Sequence, residues 1–137
     1  MSGPRAVNPP GWPQPKGFSN GIVARGTQVF VAGQIGWNAQ CKFESDEFAP
    51  QFRQALANTV AVLAAAGAEP AHIVRMTIFV TDKRQYLASL REVGAAWRDI
   101  IGRNFPAMTL VEVTALLEDR ARVEIETTAV IPDGPGA

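Results

Sequence analysis

Cysteine and histidine are nearly absent from this 137-residue chain, where Cys41 and His72 are the only ones of their kind. One cysteine excludes an internal disulfide framework and fits a reducing compartment. One histidine with one distant cysteine makes neither a zinc set nor a Cys–His nucleophile pair, so no metal is expected. Net charge is missing too, with 13 basic residues against 13 acidic ones. A balanced chain lacks the basic excess that nucleic acid and anionic membranes require, so neither is an expected partner. No run approaches the roughly 20 apolar residues of a membrane span. Residues 1–16 lack the apolar core of a secretory signal, and a cytoplasmic protein is the expectation. Gly33-Gln-Ile-Gly36 lacks the Gly-Lys-Ser/Thr ending of a phosphate loop. Trp12, Trp37 and Trp97 are too scattered to stack bases.

What remains is enough for one domain with a respectable core. Residues 1–16, with Pro4, Pro9, Pro10, Pro13 and Pro15, read as an extended arm without regular structure of its own. Residues 17–131 form the domain, and 132–137 a loose tail. Gly21–Ala24 and Val29–Ala32 flank the turn Arg25-Gly26-Thr27 and predict a hairpin. A polar loop runs to about Asp46. Phe48, Phe52, Leu56, Val60 and Leu63 then recur at helical spacing, and Gly67 ends that helix. Ile73–Val80 is nearly all apolar and predicts a central strand. Thr81-Asp82 reads as a helix cap, and Tyr86, Leu90, Val93, Trp97 and Ile101 make a second stripe closed by Gly102. Strands at about 107–114 and 121–130 complete the order β-β-α-β-α-β-β. This is an α+β fold, one mixed sheet with two helices on one face. Helices with single stripes cover one face only. The other face is expected to carry Phe79, Met108 and Leu110 and to require a partner, so self-association follows.

The chemistry concentrates near the C-terminus. Alternation along the last strand places Glu124 and Glu126 on one face and Val123 and Ile125 on the other. Exposed carboxylates on a half-buried strand can do acid–base work, although from spacing alone a solvated carboxylate is their commoner fate. Arg75 reads as an interface ion pair or as a cation facing a ligand. Arg120 and Arg122 read as solvated.

Five segments occur in one order: Val31-Ala-Gly-Gln-Ile35, Gln54-Ala-Leu-Ala-Asn58, Val74–Asp82, Phe105-Pro-Ala107 and Val123-Glu-Ile-Glu126. Over about residues 15–131 they resemble the RidA/YjgF/YER057c/UK114 family. The resemblance implies a chorismate mutase-like homotrimer with a cleft between neighbouring subunits. It implies hydrolytic deamination of reactive imines and enamines without any cofactor. In that family an arginine binds the substrate carboxylate and a glutamate activates water. A tyrosine and the backbone of a Ser-Gly segment complete the pocket.

On this pattern Glu124 falls at the glutamate and Gly33 at the pocket glycine. Ala32 replaces the serine, Phe18 the tyrosine, and Leu110 a common cysteine. Met108 replaces the arginine. Arg91 stands nearest a family asparagine, in a helix one residue longer than usual. Exchanging a guanidinium fork for a thioether removes a strong carboxylate contact. Small 2-imino acids should then bind poorly. A pocket lined by Phe18, Met108 and Leu110, with Trp37 nearby, suits a larger or less acidic ligand, although Met108 could equally be core packing. The expected function is imine or enamine deamination with Glu124 as acid–base group and a non-standard substrate. The alternative is a non-catalytic trimer that binds or senses a small metabolite. A ribonuclease role fits poorly with neutral charge.

Overall fold

In the computed structural model, which describes residues 3–134, the strand predicted to be central is central. β4 (Ile73–Val80) pairs in parallel with β5 (Ala107–Glu112) and antiparallel with β6 (Val123–Pro132). β3 (Gly26–Ile35) adds to the far side of β6, which gives the order β3-β6-β4-β5. A strand paired on both sides satisfies its backbone groups in the ladder, so its side chains can be apolar along nearly their whole length.

Helix α1 (Phe48–Ala65) lays its predicted stripe on this sheet. Phe48, Phe52, Leu56 and Leu63 are buried, and Val60 packs at the margin of the same core. Truncating a fully buried leucine such as Leu56 to alanine costs about 2–5 kcal/mol. Gly67 stops the helix as expected. Its φ of 81° lets its N–H bond Ala64 O while Ala68 N–H bonds Leu63 O, the two bonds of a Schellman cap. Asp82 caps α2 (Lys83–Ala88) by accepting from the Arg84 N–H at 2.9 Å.

Several expectations change. The second helix is two, α2 and α3 (Leu90–Ile100), divided at Ser89, whose N–H bonds Tyr86 O three residues back rather than four. The sheet is therefore covered by three helices. The hairpin does not form. Gly26 and Thr27 already pair with Pro132 and Ile131 inside β3, so two of the three expected turn residues are part of the ladder. β2 (Gly21–Val23) pairs instead with β1 (Arg5–Val7), which gives the proline-rich arm a strand of its own. β5 stops at Glu112 and β6 runs on to Pro132, so the tail begins later than expected. Residues 135–137 of that tail lie outside the described residues.

The largest correction concerns the faces. Met76, Ile78, Val80, Val123, Ile125 and Ala129 point at the helices and are buried. Arg75, Thr77, Phe79, Glu124, Glu126 and Phe30 occupy the other face. The register of β5 on β4 matches Met108 to Met76 and Leu110 to Ile78. In-register neighbours share a face, so Met108 and Leu110 lie on the helix side, packed at the core margin. Phe79 alone of the expected three is on the open face, joined by Thr109 and Val111. Among the described residues no helix is long and apolar enough to cross a membrane.

Candidate functional site on two faces of the sheet

The β3–β6 ladder slips between Val31 and Gln34, and the slip leaves Ala32 and Gly33 in a bulge. Gly33 is needed there for room. A Cβ added to it would lie 1.9 Å from Glu124 Oε2 and 2.9 Å from Glu124 Cγ. The Glu124 side chain thus lies directly over the Gly33 backbone. Phe79 stands opposite Glu124 on β4 and Ile35 on β3, so an aromatic and an aliphatic residue flank the half-buried carboxylate.

Two amides of α1 hold this corner. Asn58 Nδ2 donates to Ile35 O at 3.0 Å and Trp37 O at 2.8 Å, while its Oδ1 accepts from Gln54 Nε2. That anchors the end of β3 just beyond Gly33. Gln51, 1% exposed, donates to Ser45 O and Arg120 O, both at 3.0 Å, and accepts from Arg122 N–H at 2.8 Å. It fixes the chain two residues ahead of Glu124.

The helix side of the sheet holds a separate hollow of about 490 Å³. Phe52, Ile78, Tyr86, Trp97 and Met108 form its wall. Nearby, Ser19 donates its N–H to Pro106 O at 3.0 Å and its hydroxyl to Phe105 O at 2.6 Å. This ties residues 17–19 to the start of β5 and brings Gly17 to the hollow. Leu90 and Phe105 line it while staying 51% and 42% exposed, so the apolar wall is open to solvent. Arg98 and Arg103 complete the lining.

A family model described as Endoribonuclease L-PSP matches residues 13–131, nearly the whole chain. The 2-iminobutanoate/2-iminopropanoate deaminase of Dermatophagoides farinae is 33% identical over 96% of this chain and 99% of its own. The chain belongs to the RidA/YjgF/UK114 family. A Rid-family protein of unknown function from Yersinia pestis superposes with a TM-score of 0.83 at 29% identity, covering 95% of this chain and 100% of that one. Escherichia coli TdcF, solved with bound serine, superposes with a TM-score of 0.66 at 28% identity over 93% of this chain and 98% of its own.

As a RidA-family member, the chain divides its candidate residues between two places. Glu124, Gly33 and Ala32 come together on the open face. Met108 lies in the hollow on the opposite side, and Phe18, 39% exposed, is held beside β5 by the Ser19 bonds. Leu110 packs beside Ile78 and does not line the hollow. Arg91 is exposed near the start of α3 and does not line it either. Trp37 sits elsewhere, 5.8 Å from the Phe43 ring, which the Arg120 guanidinium covers at 5.3 Å. At that corner Arg120 also hydrogen-bonds Asp46 and holds its carboxyl below the usual value of 3.8. Arg75 shares a shallow open-face depression with Glu126 and Phe30. Among the described residues no three His, Cys, Asp or Glu side chains cluster as metal ligands.

Arg98 and Arg103 are residues that sequence reasoning missed. The available signal was position. Arg98 follows Trp97 of the apolar stripe, and Arg103 follows the glycine that ends the helix.

Proposed function

We propose that this chain is a hydrolytic deaminase of reactive imines and enamines, with Glu124 as its acid–base group in clefts formed between copies of a homotrimer. The observation that carries this reading is the Glu124 carboxylate held over Gly33 at the bulge, flanked by Phe79 and Ile35. Deaminase activity in the Dermatophagoides relative, named for 2-iminobutanoate and 2-iminopropanoate, supports the reaction class.

The chemistry asks for little. An iminium carbon is already electrophilic, so one positioned water and one proton carrier suffice. Glu124 takes a proton from water as oxygen bonds to the carbon, which gives a neutral carbinolamine. The same carboxylic acid then protonates the amine nitrogen. The C–N bond breaks, the hydroxyl proton returns to Glu124 as the carbonyl forms, and Glu124 passes that proton to the departing ammonia, which leaves as ammonium and restores the carboxylate. Iminium and water become ketone and ammonium. Neither a metal nor an organic cofactor has a step to perform.

A trimeric cleft explains why the candidate residues divide. A ligand cannot touch Glu124 and Met108 of one chain, because the sheet lies between them. A second copy whose open face met the hollow would unite them. Phe30, 72% exposed on the open face, supplies apolar area for such a contact. Met108 in place of an arginine directs the cleft away from the smallest 2-imino acids.

The test is ammonia release from 2-iminopropanoate, 2-iminobutanoate and bulkier imines made in situ by an amino-acid oxidase, for wild type and Glu124→Gln. The wild type should accelerate release, and the variant should lose about 100-fold or more with assembly intact. Equal rates in the two proteins would remove Glu124 from the mechanism. The competing reading, a metabolite-binding trimer, draws on the missing arginine at position 108. Ligand-induced thermal stabilisation without ammonia release would favour it.

A further inference from the structure

The Met108 hollow is apolar along its wall, yet Arg98 and Arg103 are among the residues that line it. Both belong to the stretch where α3 ends and the chain turns toward β5. Arg98 lies in the last turn of α3, and Gly94, one turn earlier, also lines the hollow. A Cβ built on Gly94 would be 3.6 Å from Arg98 Nη1. The guanidinium is therefore folded back along the helix toward the hollow rather than extended from the helix end. Arg103 follows Gly102, whose φ of 79° turns the chain at that point. Neither arginine has a carboxylate within 4.0 Å among the described residues, whereas Arg53, Arg84 and Arg120 each have one.

We propose that Arg98 and Arg103 are the anion-recognising groups of this hollow, and that its ligand is a carboxylate with a branched-aliphatic or phenyl-sized apolar body. The proposal deepens the deaminase reading and rests on it only for the imino form of the ligand. Guanidiniums stay charged at every working pH and present planar pairs of donors that match a carboxylate. Moving the cation from β5 to the end of α3 frees the Met108 position for apolar contact. Methionine is unbranched and polarisable, so it moulds to a bulky group. A hollow of about 490 Å³ exceeds what a two- or three-carbon acid fills. Each extra buried methylene should improve affinity about fourfold. The substrate class is then 2-imino acids derived from large apolar amino acids. This departs from the expectation that losing the strand arginine means losing carboxylate recognition.

The test is calorimetric binding of stable oxygen analogues, which needs no turnover. The ligands are 3-phenyl-2-oxopropanoate, 2-oxopropanoate and the neutral 3-phenylpropanamide. The proteins are wild type, Arg98→Met, Arg103→Met, the double variant and the matching lysine variants. Wild type should bind the phenyl acid at least about tenfold tighter than 2-oxopropanoate. The double variant should lose about 10- to 100-fold for the phenyl acid and nothing for the amide, with lysine restoring part of the loss. Unchanged affinity in the double variant, equal losses for acid and amide, or no acid binding by wild type would each overturn the proposal. Arginine-dependent binding without ammonia release would refute the deaminase reading alone. Ammonia release with KM unchanged in the double variant would refute this inference alone.

Discussion

Gly33→Ala is the substitution that most directly tests whether Glu124 must sit where it does. The added methyl would meet Glu124 Oε2 at 1.9 Å, whereas ordinary contact begins near 3.4 Å. The carboxylate must therefore withdraw by about 1.5 Å, the difference between those distances. It can do so cheaply in folding terms, because the atom met is the end of a flexible side chain. A glycine inside a strand is itself less stable than alanine by about 0.5–1 kcal/mol, so the urea midpoint should hold or rise. Activity should behave differently. A misplacement of about 1 Å costs around 100-fold, and a general base as a whole contributes about 10²–10⁴. The expected outcome is a fall of about 100-fold in kcat/KM, or about 2.7 kcal/mol of transition-state stabilisation, with unchanged stability and assembly. Ammonia release against an imine panel and a urea melt on one preparation measure both quantities. A Gly33→Ala protein that is fully active and fully stable would mean that the approach of Glu124 to Gly33 has no catalytic role.

Gln51→Leu keeps volume but strands Ser45 O, Arg120 O and the Arg122 N–H, so urea unfolding should show a loss of about 2–4 kcal/mol. A loss below about 1 kcal/mol would show that these groups find other partners. Asp46→Asn tests the Arg120 contact through pH. The folded carboxyl titrates below its ordinary value of 3.8, so its stabilisation is complete above the unfolded value and fades as pH falls through the folded one. Wild type should exceed the variant in urea midpoint near neutrality, and the gap should close in strong acid. A gap that persists there would assign the effect to something other than ionisation. Phe30→Glu places a charge on a residue already 72% exposed, so the single chain should still fold. Sedimentation should report a smaller species and ammonia release should fall with it. An unchanged sedimentation coefficient would remove the open face from the subunit contact.

Elements with a strong internal period could be read from sequence because their signal is local. Phe48, Phe52, Leu56 and Leu63 can be buried together only on a helix, and Gly67 and Asp82 mark ends through backbone chemistry that needs no distant partner. The misplaced elements depended on distant partners. Gly21–Val23 is strand-like in composition, yet nothing local says whether it pairs with β3 or with Arg5–Val7. The break at Ser89 likewise has no proline or glycine to announce it. The clamps Gln51 and Asn58 were invisible for the same reason, since their partners lie 21 to 71 residues away for the bonds that matter most.

The site failed to emerge whole for a more specific reason. Strand side chains alternate with period two, so one step of register sends a whole set to the opposite face. Placing Met108 and Leu110 with Phe79 assumed a register of β5 that the structure does not adopt. Thr109 argues for the observed one. It is polar and exposed, while Met108 and Leu110 on either side are apolar and half-buried. The alternation already favours turning the two apolar residues toward α1 and α3. That register has a functional consequence. Met108 is separated from Glu124 by the thickness of the sheet, so one ligand cannot touch both within a single chain. The face toward which β5 turns Met108 is also the face on which α3 presents Arg98. An edge strand that buries its apolar side chains against a helix with an arginine in its last turn thereby sets an apolar wall beside a cation. Met108 lines the same hollow as Arg98 and Arg103.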